Sequence, residues 1–172
     1  MRIKESTNLL TGILFTLFLG SLSHFFYQWT NENLVVGLFS PVNESVWEHT
    51  KMLFFPVFFY TFFEMTAHAK MDGHFLTARL VALVTGVLLI PSLFFIYTGF
   101  LGIICLPLDI AIFVVCTIVT FLLTRYLEIH ADALYLPPFV LFILVLFCLI
   151  LFFSFTYSPP ELPIFRPVKQ IN

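Results

Sequence analysis

Between Ser40 and Lys51 the chain sets out two carboxylates (Glu44, Glu48), an imidazole (His49), an ammonium (Lys51), an amide (Asn43) and an indole (Trp47). Imidazole and carboxylate together are ligands for a divalent metal and partners for proton transfer. Ammonium, amide and indole N–H groups are donors for a polar or anionic ligand. This stretch stands directly against the apolar run Met52–Tyr60, and two further ionisable residues, His24 and Asp109, sit inside apolar runs elsewhere. His24, Asn43, Glu44, Trp47, Glu48, His49, Lys51 and Asp109 are therefore the candidate ligand-binding residues.

The elements that must position them are apolar. Of 172 residues 60% are hydrophobic and 10% charged, with 24 phenylalanines, whereas a soluble domain carries about a quarter charged residues. So much apolar surface needs a bilayer as its solvent. A net charge of -2 offers no field for nucleic acid, and that class is set aside. Cys105, Cys116 and Cys148 lie in apolar runs without CxxC spacing and read as small hydrophobes. Met1-Arg2-Ile3-Lys4 has the outline of a signal peptide. The uncharged stretch Ser6–Asn31 is longer than such a segment needs, however, and Ser21-Leu22-Ser23 is a poor cleavage site, so it reads as a retained first span.

The pattern predicts an all-α, polytopic membrane protein: one domain, residues 1–172, built as a bundle of five transmembrane helices. The spans fall at about 8–29, 46–68, 76–97, 103–126 and 138–157, followed by a proline-rich tail at 158–172. In the first, Gly12, Thr16, Gly20, His24 and Gln28 recur every fourth residue and stack on one face. Small residues let another helix approach closely, so this face is expected to carry His24 into the bundle. Thr30–Gly37 reads as a connector. Ser40 before Pro41 resembles an N-cap with proline at N1, and Ser45-x-x-Glu48 fits a capping box, so the second span begins between Pro41 and Val46. Only the uncharged residues Met52–Phe63 separate Lys51 from Glu64, too few for the roughly 20 that cross a bilayer. One end of this span must therefore draw an ionisable group inward, where such groups face the bundle interior with a partner. Pro56 withholds an N–H from the Met52 carbonyl and predicts a kink. Ala78, Ala82 and Gly86 form a close-packing stripe on the third span. Polar turns are expected at Ala69–His74, Thr98–Gly102 and Glu128–Asp132.

Basic residues set the orientation. With the N-terminus cytoplasmic, Arg2, Lys4, Lys70, Arg79 and Arg125 lie inside, and Lys51, Arg166 and Lys169 outside. The chain then occupies the cell membrane as a multi-pass protein, with the Ser40–Lys51 stretch and the C-terminal tail sharing the outer face.

In that topology His24, Glu44, Glu48, His49 and Asp109 share a depth. Glu44, Glu48 and Lys51 fall on one helical stripe, which allows a Glu48–Lys51 or Glu44–Glu48 interaction, with His49 turned about 100° away. A divalent metal such as zinc, held by His24, His49 and Glu48, is one reading, though no HxxxH or HExxH motif supports it. The plainer reading is a polar network that satisfies buried groups and fixes helix register. Asp109 also has a plain role, offsetting the positive end of a helix that starts at Pro107. Glu64 and His68 make a separate pair at the inner end. With His74, Arg125, Glu128, His130 and Asp132 they read as interfacial groups, and Trp29 and Trp47 as interface anchors.

His24-x4-Trp29, the run Ser40-Pro41-Val42-Asn43-Glu44-Ser45-Val46-Trp47-Glu48-His49-x-Lys51 and the tail Pro159-Pro160-Glu161-Leu162-Pro163-Ile164-Phe165-Arg166-Pro167 together resemble a family of small uncharacterised multi-span bacterial membrane proteins, typical of Gram-positive organisms, over essentially the whole chain. The family form of the tail has an Asp-Pro and a glycine-containing turn, from which Arg166-Pro167-Val168 departs. The resemblance implies a membrane location and a site around the middle motif, and no activity.

The expected function is binding or transport of a small polar molecule or lipid headgroup at an outward-facing polar site. Two alternatives stand beside it: a membrane-embedded metal-dependent hydrolase with Glu48 as general base, and a structural or regulatory subunit that docks another membrane protein. No catalytic residue is assigned.

Overall fold

The computed structural model describes residues 2–68, 73–131 and 134–168; the side chains of residues 2–8, 67 and 68 lie outside it. The turn expected at Ala69–His74 is therefore described only from Gly73 on, and Lys70, Asp132, Lys169 and the side chains of Arg2, Lys4 and His68 fall outside. The order of elements is α1 (Arg2–Trp29), α2 (Leu34–Phe39), α3 (Val46–His68), α4 (Gly73–Leu101), α5 (Leu106–His130) and α6 (Pro138–Tyr157), then a 3-10 turn at Pro163–Phe165. No strand occurs among the described residues, so the fold is all-α.

Six helices replace the five expected. The additional one, α2, lies in the segment read as a connector. The chain turns through left-handed Asn31 and Glu32, and the Asn33 side chain then accepts from the N–H groups of Val35 (2.9 Å) and Val36 (3.3 Å). That cap closes one and a half turns of helix on an apolar segment. Four helices, α1 from Leu9, α4, α5 and α6, are long and apolar enough to cross a membrane. Large hydrophobics such as Phe18, Phe100 and Phe139 point outward, a surface compatible with a bilayer. At 23 residues α3 has the length, but Glu48, Lys51 and Glu64 lower its apolar character.

α3 runs through the middle of the bundle. Leu53 and Val57 are wholly enclosed, and Phe54 and Phe55 nearly so. Phe54 meets Phe152 of α6 at 4.6 Å between ring centroids, and Phe55 meets Phe39 of α2 at 5.1 Å. Against its other side lies the glycine stripe of α1. A Cβ on Gly12 would run into Phe121 and Tyr60, and a Cβ on Gly20 would stand 2.4 Å from the Met52 carbonyl oxygen. Pro56 lies inside α3 and has no N–H for that same carbonyl, which instead abuts bare glycine backbone. Thr16 is enclosed, while Gln28, at the end of the stripe, is exposed. On α5, buried Thr117, Thr120 and Thr124 hydroxyls donate to the carbonyls of Phe113, Cys116 and Thr120, so polar side chains enter the core already satisfied.

Gly20→Ala is accordingly expected to destabilise the protein. Alanine favours helix by roughly 1 kcal/mol, but a methyl forced onto backbone cannot be relieved by a rotamer change, and overpacking costs about 1–3 kcal/mol. The net effect is a lower midpoint of thermal unfolding in detergent, read by circular dichroism.

Candidate functional site

Helix α3 begins at Val46, and the preceding residues 41–45 fold back over its first turn. The Glu48 N–H donates to the Ser45 hydroxyl at 3.3 Å, which is half of a capping box. The other half is missing, because the Glu48 carboxylate turns away from Ser45. Its Oε2 accepts from the Val42 N–H at 2.9 Å and from Lys51 Nζ at 2.6 Å. Lys51 Nζ also donates to the carbonyls of Gly37 (2.9 Å) and Ser40 (3.3 Å). An ammonium has three N–H groups, and all three are used. Both side chains are enclosed, Lys51 at 0% and Glu48 at 2% exposure. Ser40 therefore does not cap α3: it ends α2, with its N–H and hydroxyl both directed to the Val36 carbonyl. Asn43 holds the turn by accepting the Ser45 N–H at 2.9 Å, an Asx turn.

With Glu48 and Lys51 committed to this clamp, the remaining groups come together elsewhere. Glu44 precedes the helix, so it leaves the Glu48–Lys51 stripe and reaches both histidines. Its Oε1 lies 3.6 Å from His24 Nε2 and its Oε2 lies 3.4 Å from His49 Nε2. The imidazoles of His24, on α1, and His49, on α3, are 5.3 Å apart between centroids. One nitrogen from each and one Glu44 oxygen all lie within 4.8 Å of one another. His49 Nδ1 stands 2.7 Å from the Ser45 carbonyl. A carbonyl only accepts, so Nδ1 carries a proton, and Nε2 is the nitrogen that faces Glu44. The neighbouring His49 imidazole holds the Glu44 carboxyl below its usual value, so Glu44 is an anion at neutral pH. It is also half-exposed, which opens the cluster to solvent. Spacing alone groups Glu48 with the two histidines; the carboxylate that stands between them is Glu44.

Asp109 is engaged on the other side. Cys105 is the cap of α5 and Pro107 its second residue, so Asp109 lies one place further in than expected. Its Oδ1 accepts the Tyr97 hydroxyl at 2.5 Å, and that hydroxyl accepts the Cys105 N–H at 3.3 Å. Trp29 is exposed. Trp47 packs among Phe152, Phe155 and Phe165 at 5.0, 5.5 and 5.1 Å, and its indole N–H is buried without a partner.

At the other end of α3 lies a pair that sequence reasoning does not assemble. Arg79 Nη2 donates to Glu64 Oε2 at 2.6 Å, and the guanidinium lies over the rings of Phe75 (5.1 Å) and Phe121 (4.7 Å). Arg79, which the sequence reading counts among the cytoplasmic basic residues, is 5% exposed. The groups around it have local roles: His74 Nε2 meets the Ala131 carbonyl at 2.8 Å, His130 Nδ1 meets that of Tyr126 at 3.0 Å, and Arg125 pairs with Glu128 at 3.4 Å.

Fold and site together define a membrane-compatible helical protein with a His–Glu–His cluster at one end of its central helix. The chain belongs to a family of unknown function, DUF6512, whose model matches residues 2–170. No curated protein and no solved structure matches it.

Proposed function

We propose that this is a multi-pass membrane protein that binds a divalent transition-metal ion through His24, Glu44 and His49. The observation that carries the reading is the convergence of three ligand atoms, from α1, the 41–45 turn and α3, within 4.8 Å. Two imidazole nitrogens and a carboxylate oxygen form a donor set that suits zinc. Metal–ligand bonds of about 2.0–2.1 Å in a tetrahedron put ligand atoms roughly 3.3 Å apart. The 3.4 and 3.6 Å contacts of Glu44 are close to that spacing. His49 has its Nδ1–H tied to a carbonyl, the outer-shell arrangement that presents Nε2 to a metal. Three protein ligands leave a fourth position for water, a small polar molecule or a lipid headgroup.

Binding or transport is favoured over hydrolysis. The general base expected from sequence, Glu48, is enclosed and bonded to Lys51 and Val42, so it is not available to a metal-bound water. In this reading the whole chain is one membrane domain and α3 is the fifth crossing helix. The N-terminus is cytoplasmic and the cluster lies on the outer face with the tail. Lys51 and Arg79 are both buried in ion pairs and drop out of the charge count. Arg2, Lys4, Lys70 and Arg125 then stand inside against Arg166 and Lys169 outside, which keeps the same bias.

The test is titration of the chelator-stripped, detergent-purified protein with Co²⁺ and Zn²⁺. One equivalent is expected to bind. His24→Ala, Glu44→Ala and His49→Ala should each lose more than about 100-fold in affinity, beyond the 10–100-fold that an outer-shell partner is worth. A folded parent protein that binds no metal, or three variants that bind like the parent, would overturn the reading.

A further inference from the structure

We propose that the C-terminal segment 162–168 is a strap that positions Glu44 for the metal, an inference that rests on the metal reading above. Glu44 is the one ligand of the three not carried by a helix, and ligands on loops are imprecise unless something holds them. From below, its turn is held by the Asn43 side chain on Ser45 N–H and by Glu48 on Val42 N–H. The first of these holds the N–H side of the peptide between Glu44 and Ser45. The tail holds its carbonyl side: the Val168 N–H donates to the Glu44 carbonyl at 3.0 Å, and Pro167 forms an antiparallel bridge with Ser45. The same Ser45 carbonyl accepts His49 Nδ1, so the strap touches the backbone that serves two of the three ligands.

The strap is anchored by one side chain. Phe165, in the 3-10 turn, meets Trp47 at 5.1 Å and Phe155 at 5.2 Å. Pro167 has no N–H to add, so among the described residues the attachment rests on the Val168–Glu44 hydrogen bond, the bridge to Ser45 and one aromatic seat at a half-exposed surface. Such an attachment opens locally at little cost. A metal that fixes Glu44 favours the docked strap, and the docked strap favours the metal by the same factor.

Full-length Val168→Pro, which deletes the donor, and Phe165→Ala, which empties the seat, test this by Co²⁺ absorption titration. Both are expected to bind Co²⁺ about tenfold more weakly, the size of an outer-shell effect, and to change the ligand-field spectrum. Phe165→Tyr, which keeps the ring, should restore parental affinity. In a Trp29→Phe background, Trp47 emission reports whether the strap is seated, and helix content by circular dichroism reports whether the bundle is folded. Zn²⁺ should slow proteolysis of the tail in the parent and not in Glu44→Ala. Parental Co²⁺ affinity in both variants, with Trp47 emission showing the strap released, would overturn the strap and leave the metal site standing. A folded parent that takes up no Co²⁺ overturns the metal reading itself.

Discussion

Lys51→Met is expected to lower the unfolding free energy by about 3–5 kcal/mol, the cost of stripping one partner from a buried ion pair. The substitution leaves the enclosed Glu48 carboxylate with only the Val42 N–H. It also takes the donor from the Gly37 and Ser40 carbonyls, so three acceptors each lose a donor at once. Because Gly37 and Ser40 belong to α2 and its end, the loss also unties α2 from α3. The informative comparison is the double variant Glu48→Gln/Lys51→Met. It removes the buried charge, and the introduced amide oxygen can still accept from Val42. The two carbonyls stay unmet, however, and each buried polar group left so costs about 1–3 kcal/mol. The double variant is therefore expected to recover only part of the loss. Denaturation in mixed micelles, followed by circular dichroism, measures both. Full recovery in the double variant would mean that the ammonium serves the charge pair alone and not α2.

The length of Met52–Phe63 carried more information than any motif. So short an uncharged run in an expected span predicts that charge is enclosed, and charge is enclosed at both ends of α3, Glu48 with Lys51 and Glu64 with Arg79. The glycine stripe was equally legible, since four-residue spacing on a helix is a direct statement about one face, and that face does present His24 to Glu44. Other features were not legible, each for a physical reason. Helical periodicity places Glu44 beside Glu48 only if the helix extends back past Val46. It stops there, and a turn residue's direction depends on tertiary bonds to Val42 and Val168. α2 is six residues long, and an apolar segment of that length has no period to read. The Glu64–Arg79 contact depends on the register of α3 against α4, which nothing local to either residue sets. The tail's bridge to Ser45 is likewise a contact between distant segments, made by the Pro167-Val168 step.

The second buried pair is expected to behave in the opposite way on double replacement. Arg79→Met should cost about 3–5 kcal/mol, because it takes the guanidinium from a carboxylate enclosed among helices α3, α4 and α5. Yet Arg79 is not satisfied as Lys51 is. Its Nε and Nη1 are buried without a hydrogen-bond partner, and aromatic faces at 4.7 and 5.1 Å offset only part of that deficit. Among the described residues no backbone carbonyl depends on this arginine in the way Gly37 and Ser40 depend on Lys51. Replacing both charges by apolar residues of similar volume, Glu64→Leu/Arg79→Met, should therefore return stability to the parental value or raise it by up to about 4 kcal/mol. The same mixed-micelle denaturation decides it. If the double variant is as unstable as Arg79→Met alone, the guanidinium holds more of the bundle than Glu64. If it is as stable as the parent, the pair is kept for something other than stability.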